Sequence, residues 1–148
     1  MEIGVREGGS IKLWLEYFPE AFVYGIELDT ECVYWNLLDP FTRRFVIKFA
    51  DAYDRQTAES YGNKRFDVII DDGSHTLDDQ RRFIEYYFHL LRDDGVMIIE
   101  DVQNIEYCKL FYHCVPEQYR ECIKVYDLRA RTGRSDDVLF VIDKALKS

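Results

Sequence analysis

The sequence predicts an α/β fold with a doubly wound, mostly parallel sheet that ends in an antiparallel hairpin. Short apolar runs alternate with helical patterns, and two of the runs, 66–71 and 96–99, end abruptly in acidic residues. Strands that are buried on both faces of a parallel sheet read as such continuous apolar runs. The last two runs are too close in sequence for a crossover helix, which indicates the hairpin. The 148 residues are enough for one domain with a sizeable core.

The first half of the chain contains three strand–helix units. Strands are predicted over 1–5, 21–28 and 44–50, and helices over 11–17, 29–37 and 55–61. The Gly-rich segment 6–10 forms the turn between the first strand and its helix. Pro40 ends the second helix, because proline lacks the N–H group that continues a helix.

The second half adds two more units and then the hairpin. Strands are predicted over 66–71, 96–99, 123–128 and 138–142, and helices over 77–92, 105–112 and 117–121. In the helix over 77–92, Phe83, Tyr87, Leu90 and Leu91 recur at helical spacing, and Asp94-Gly95 ends it. The segment 131–137 joins the last two strands.

The composition limits the kind of protein this chain can be. An apolar content of 47%, with 16% aromatic residues, excludes a disordered chain. No apolar run approaches the roughly 20 residues that span a bilayer, so we expect no membrane segment. The formal net charge of −9 argues against nucleic acid as a partner, because phosphate backbones require basic surfaces. The four cysteines form no CxxC pair, and we expect free thiols in a reducing cytoplasm.

Acidic residues stand at the carboxyl ends of two apolar runs. Asp71 and Asp72 close one run, and Glu100 and Asp101 follow the other. Neighbouring parallel strands point their carboxyl ends at one crevice, so we expect these acids around one small space, with His75 beside them. Like charges that close repel each other unless a cation or a bound proton compensates them. The pattern predicts a hard divalent metal ion held by oxygen ligands, with His75 left over as a base.

A strand, a Gly-rich loop and a helix at the start of the chain predict a ligand-binding turn. Gly4 and Gly8 let the backbone turn tightly and let a ligand approach the N–H groups at the start of the helix. Their spacing is not the GxGxxG pattern of dinucleotide-binding folds. Glu27, at the end of the second strand about 20 residues later, suits hydrogen bonds to ribose hydroxyls. Asp51, after the third strand, could meet an adenine amine or simply be exposed in a charged stretch.

Three motifs together resemble one enzyme family: EIGV at 2–5 with GGS at 8–10, IDDGSH at 70–75, and IEDV at 99–102. With the terminal hairpin, they resemble the class I S-adenosylmethionine-dependent methyltransferases. Within that class the chain is similar to the metal-dependent sugar O-methyltransferases of macrolide biosynthesis, the mycinamicin-type enzymes. The resemblance covers nearly the whole chain and implies a Rossmann-like methyltransferase sheet, with S-adenosylmethionine and Mg²⁺ as cofactors.

The resemblance also implies roles for individual residues. The implied magnesium ligands are Asp72, Glu100 and Asp101. The implied cofactor contacts are Glu2, Gly4 and Glu27. His75 matches the general base of the family. Asp71 is left over in this scheme, and it either lines the cofactor site or bonds to backbone amides.

The function implied is transfer of a methyl group to a hydroxyl of a glycoside or another polyhydroxylated small molecule. Family members usually carry a lead-in before the first strand, whereas this chain starts inside it. We therefore expect a single methyltransferase domain over 1–148 without that lead-in, and a homo-oligomer is left open. One alternative is a non-catalytic cofactor-binding or assembly module of the same fold. Another is a nicotinamide oxidoreductase, against which the missing GxGxxG pattern and the hairpin argue.

Overall fold

The computed structural model is built on a seven-stranded sheet and describes residues 1–41 and 43–147. The strands are β1 (Glu2–Ile3), β2 (Val23–Glu27), β3 (Phe45–Phe49), β4 (Phe66–Asp71), β5 (Leu91–Ile99), β6 (Ile123–Asp127) and β7 (Val138–Asp143). The helices are α1 (Gly9–Tyr17), α2 (Trp35–Leu38), α3 (Arg55–Glu59), α4 (Leu77–Tyr87), α5 (Tyr107–Cys114) and α6 (Arg129–Thr132). Thr42 and Ser148, the last residue of the predicted domain, lie outside the described residues.

The strand order is β3-β2-β1-β4-β5-β7-β6. The first five strands in this order pair in parallel, whereas β7 is antiparallel to both β5 and β6. This arrangement confirms the predicted doubly wound sheet with its terminal hairpin. The chain moves outward from β1 to β3 and then returns to place β4 on the other side of β1. The carboxyl ends of β1 and β4 therefore form the topological switch point, where such sheets bind ligands.

Side chains of β1 show that helices cover two faces of the sheet. Ile3 is buried in a core cluster with residues of α4 and α5, including Phe83 and Phe111. The carboxylate of the neighbouring Glu2 instead accepts hydrogen bonds from Ser10 and Trp14 of α1. Successive residues of a strand point to opposite faces, so α1 lies on the side of the sheet away from α4 and α5.

The helix predicted over 29–37 is wrong, because only Trp35–Leu38 is helical there. The preceding residues form a loop that side chains hold in place. Asp29 accepts a hydrogen bond from the backbone N–H of Glu31, and the thiol of Cys32 donates to the Asp29 carbonyl. Short polar side chains that bond to nearby backbone groups compete with helix formation in this way.

The predicted end of the long helix, at residue 92, is also wrong. Helix α4 ends at Tyr87, a short 3-10 turn follows, and β5 already starts at Leu91. Leu91 pairs with Phe66 of β4 and is buried, so strand pairing outweighs the helical spacing. Within β5, a Cβ at Gly95 would lie only 2.9 Å from the Asp67 carbonyl oxygen, which shows how closely the two strands pack there.

Two further expectations concern the chain as a whole. All four cysteines are free thiols, as predicted. In the part of the chain that the structure describes, no helix has the length and apolarity needed to cross a membrane.

Candidate active site

The loop after β1 packs directly against the loop after β4, at the switch point of the sheet. Gly4 adopts φ +84°, a conformation that favours glycine. A Cβ built on Gly4 would lie 2.1 Å from the carbonyl oxygen of Asp72, a separation that no real side chain tolerates. The Gly-rich loop, residues 4–8, and the loop after β4, residues 72–76, which we call the acidic loop, therefore form one structural unit. The absence of a side chain at Gly4 permits this close packing.

Three of the predicted site residues meet at this edge. Among the described residues, Asp72, His75 and Asp101 can each offer one ligand atom within 4.8 Å of the others. The Nε2 of His75 lies 3.8 Å from Oδ1 of Asp72. His75 and Asp101 have φ values of +57° and +49°, which are unusual for residues other than glycine. Such strained conformations persist where the surrounding structure enforces them, and they concentrate at functional sites.

Glu100, the third predicted metal ligand, does not join this group of ligand atoms. Burial is the largest cause of a raised pKa at Glu100, and the carboxylates of Asp72 and Glu2 add to it, so that the pKa is about 7. Glu100 is therefore electrostatically coupled to the cluster. Burial also raises the pKa of Asp72, against the opposing effect of His75. Burial and mutual repulsion therefore make the charged forms of these carboxylates costly, and their oxygen-rich donor set fits a hard divalent cation.

Asp71 is the last residue of β4 and directly precedes the acidic loop. Its side chain is buried, and Oδ1 accepts a hydrogen bond of 2.6 Å from the hydroxyl of Tyr53. The same hydroxyl accepts a bond of 3.1 Å from the backbone N–H of Ser74. Two buried polar atoms of this region, Oδ2 of Asp71 and Nδ1 of His75, find no hydrogen-bond partner among the described residues. Tyr53 thus links the end of β4 to the loop that carries His75.

The titration of Asp71 leads to a testable pH dependence. Burial raises the pKa of Asp71 to about 7 from its ordinary value of 3.8. The folded state then binds this proton more tightly than the unfolded state, so the associated stability is complete below the ordinary pKa and is lost as the pH rises toward 7. We expect the free energy of unfolding of the wild type to fall, relative to Asp71→Asn, by about 2 kcal/mol between pH 5 and 7.

Urea unfolding of both proteins in the presence of a chelator measures this difference at each pH. Asp78→Asn serves as the control, because its side chain is 76% exposed and should show no such trend. A constant difference between wild type and Asp71→Asn across this range would mean that Asp71 titrates normally.

The residues predicted to bind the cofactor are engaged in the same region. The carboxylate of Glu27 accepts hydrogen bonds from the backbone N–H groups of Arg6, Leu28 and Asp29, at 2.6, 2.8 and 3.0 Å. It therefore joins the end of β2 to the Gly-rich loop. Gly8 caps the start of α1 with φ +90°. These roles in cofactor binding stay predictions, since each of these contacts is internal to the protein.

Two further acids complete the predicted cofactor set. Glu2 is buried, and burial raises its pKa, while its bonds to Ser10 and Trp14 oppose the rise. Asp51 is exposed, and its carboxylate accepts a hydrogen bond of 2.8 Å from the backbone N–H of Tyr53. Asp51 thus closes the turn after β3, and this local role is sufficient to explain its position.

Sequence reasoning missed two side chains of this region, Tyr53 and Arg134. Arg134 follows α6 and donates a hydrogen bond of 2.6 Å to Oδ2 of Asp101. It is separated from Asp101 by 33 residues. Tyr53 is one of 11 tyrosines, and no motif distinguishes it from the others. Only the folded arrangement of the chain identifies these two residues.

Residues 1–102 match a family model that is described as a methyltransferase domain. The chain belongs to this methyltransferase family. The domain is 36% identical over 110 residues to an L-olivosyl-oleandolide 3-O-methyltransferase of Streptomyces antibioticus, a match that covers 68% of this chain and 27% of the relative. It is 32% identical over 98 residues to a mycinamicin VI 2''-O-methyltransferase of Micromonospora griseorubida, a match that covers 64% of this chain and 23% of the relative. These relatives confirm the resemblance to macrolide sugar O-methyltransferases.

Solved structures support the same fold for this methyltransferase domain. A methyltransferase from the mycinamycin biosynthetic pathway, in complex with Mg and SAH, aligns with a TM-score of 0.66 at 22% identity, covering 96% of this chain and 44% of the other. A spermidine synthase from Thermotoga maritima aligns with a TM-score of 0.70 at 21% identity, covering 97% of this chain and 52% of the other. The chain spans about a quarter of the length of the curated relatives it matches.

Proposed function

We propose that this methyltransferase domain transfers the methyl group of S-adenosylmethionine to a hydroxyl of a sugar or another polyhydroxylated small molecule, with the help of Mg²⁺. The observation that carries the proposal is the meeting of Asp72, His75 and Asp101 at the switch point. It is supported by the contact between Gly4 and the acidic loop, which brings a predicted cofactor loop beside these side chains. A small-molecule acceptor is the proposed partner, while the compartment and the oligomeric state stay predictions.

Asp72 and Asp101, with Glu100 beside them, are the residues that would hold the metal ion. Their carboxylates provide the oxygen ligands that magnesium prefers, and their crowded negative charge favours a cation. When bound, the ion would lower the pKa of an acceptor hydroxyl and help to orient it. Glu2, Gly4, Gly8, Glu27, Asp51 and Asp71 are the proposed cofactor-binding residues.

His75 is the proposed general base. It removes the proton of the acceptor hydroxyl as the new oxygen–carbon bond forms and the sulfur–carbon bond of the sulfonium breaks, so the electron pair of that bond stays on sulfur. The side chain of His75 is only 27% exposed, and the strained loop fixes its direction. An in-line transfer of this kind depends mainly on such positioning.

A transfer assay with isotopically labelled S-adenosylmethionine tests the proposal directly. The acceptors would be a panel of glycosides and polyols, each offered with Mg²⁺ and with a chelator, and methylated products would be detected by mass spectrometry. We expect labelled methyl ethers that require the metal ion. Binding of S-adenosylhomocysteine without transfer to any acceptor would favour the non-catalytic binding module. Preferential binding of a nicotinamide dinucleotide would favour an oxidoreductase.

Asp72→Asn gives a second test, because it removes one negative charge from the cluster with little change in shape. We expect its affinity for Mg²⁺ to fall at least about tenfold, with retained affinity for S-adenosylhomocysteine. Calorimetric titration of each ligand into chelator-stripped protein measures both. Asp78→Asn makes the same chemical change on the exposed start of α4 and should bind the ion like the wild type. Unchanged Mg²⁺ affinity in Asp72→Asn would remove Asp72 from the proposed ligand set.

A further inference from the structure

One arginine from the last third of the chain reaches into the acidic cluster. Arg134 lies in the β6–β7 connection, which we define as residues 128–137 and which contains α6. Its Nη2 donates to Oδ2 of Asp101 at 2.6 Å. The Asp101 side chain is 19% exposed and that of Arg134 is 57% exposed. The guanidinium group therefore extends from the surface onto a carboxylate that is proposed to hold the metal ion.

Arg134 also has a second acidic partner on its own connection. Its Nε lies 3.4 Å from Oδ1 of Asp136. Gln103 joins the two residues, since its Nε2 donates to Oδ2 of Asp136 at 3.4 Å and to the backbone carbonyl oxygen of Asp101 at 3.3 Å. The guanidinium group thus stands between two carboxylates. Loss of its contact with Asp101 would leave it an ion-pair partner in Asp136.

The guanidinium group and a divalent ion have conflicting requirements at Asp101. The ligand atoms of the cluster lie within 4.8 Å of one another, so a cation held by them would be close to any charge that touches Asp101. Two positive charges at such short range repel each other strongly, even where solvent weakens the interaction. We propose that Arg134 competes with the divalent metal ion for Asp101, so that metal binding releases the β6–β7 connection from the site. This inference rests on the proposed function, because it takes Asp101 as a ligand of the ion.

The partial exposure of Arg134 sets the size of the effect. Ion pairs near the surface are screened by solvent and contribute modestly. The contact with Asp136 also lowers the cost of leaving Asp101. We therefore expect Arg134→Ala to bind Mg²⁺ about tenfold more tightly than the wild type. A gain of several powers of ten is not expected.

Calorimetric titration of Mg²⁺ into chelator-stripped protein tests the competition. The proteins are the wild type, Arg134→Ala and the control Arg131→Ala, which removes an exposed arginine of the same connection. Tighter binding by Arg134→Ala, with wild-type binding by Arg131→Ala, supports the competition. Equal or weaker binding by Arg134→Ala overturns it while the metal site itself stands. If neither the wild type nor Arg134→Ala binds Mg²⁺, the proposed metal site has failed as well.

Hydrogen–deuterium exchange over residues 128–137 gives a readout that does not depend on activity. In the wild type, Mg²⁺ should accelerate exchange in this connection, because the contact between Arg134 and Asp101 is lost. In Arg134→Ala, exchange should already be fast without the ion and should change little when it is added. Slower exchange in the wild type on addition of Mg²⁺ would mean that the ion and Arg134 hold Asp101 together, and this outcome would overturn the proposal.

Discussion

His75→Asn is expected to reduce methyl transfer by about 10²–10⁴-fold while leaving the binding of S-adenosylhomocysteine unchanged. A positioned general base contributes rate enhancements of this size. Asparagine is the appropriate replacement because position 75 has φ +57°, and asparagine adopts this region more readily than most residues. The substitution therefore removes the imidazole without adding backbone strain to the loop that carries Asp72.

Steady-state kinetics and calorimetry of the same preparation separate the roles that His75 could have. A base acts on the acceptor proton, so its loss should lower kcat and spare Mg²⁺ affinity. If His75 is instead a metal ligand, its substitution should lower both kcat and Mg²⁺ affinity. The position of its ligand atom within 4.8 Å of those of Asp72 and Asp101 makes this alternative worth testing. His89→Asn is the matched control, because His89 lies in the turn before β5, away from these residues in the chain, and should retain full activity. Loss of Mg²⁺ affinity in His75→Asn alone would make His75 a ligand.

The fold could be predicted from the sequence because buried parallel strands leave a local signature. The run Phe66–Asp71 needs no knowledge of its neighbours to be recognised as a buried strand that ends in acids. The placement of Asp72 and Asp101 at one edge follows from the same rule, since the two strands before them are adjacent and parallel. Periodicity and topology thus carry most of the architecture.

The errors arise where tertiary contacts outweigh local preference. Leu90 and Leu91 continue the helical spacing of α4, yet Leu91 pairs with Phe66 across the sheet. Arg134 meets Asp101 only because β7 runs antiparallel to β5, which brings the β6–β7 connection over the carboxyl end of β5. The hydroxyl of Tyr53 meets Asp71 across 18 residues and depends on the turn after β3. Such contacts follow from the folded geometry and have no local sequence signal.

Gly4→Ala is expected to destabilise the domain by about 3–5 kcal/mol, which corresponds to a fall in Tm of roughly 10 °C for a chain of this size. Two causes add up. Alanine is strained at φ +84°, and its Cβ would lie 2.1 Å from the carbonyl oxygen of Asp72. A backbone oxygen cannot rotate away as a flexible side chain can, so the loop after β4 must shift as a whole.

Gly62→Ala separates these two causes. Gly62 has φ +57°, but a Cβ there would meet no atom within 4 Å, so alanine should cost only the backbone strain of about 1 kcal/mol. Thermal and urea unfolding of both variants give the difference, which measures the clash with Asp72. A cost for Gly4→Ala no larger than that for Gly62→Ala would show that the two loops are not tightly packed.

The consequence of Gly4→Ala should reach beyond stability, because the residue it displaces is a proposed metal ligand. Folded Gly4→Ala, prepared below its Tm, should bind Mg²⁺ more weakly than the wild type even though position 4 offers no ligand atom. Gly62→Ala should bind the ion normally. Weakened Mg²⁺ affinity in Gly4→Ala alone would indicate that the Gly-rich loop and the acidic loop act as one unit. In that unit, the Gly-rich loop fixes the position of Asp72. Normal affinity would mean that the acidic loop can shift and still hold the ion.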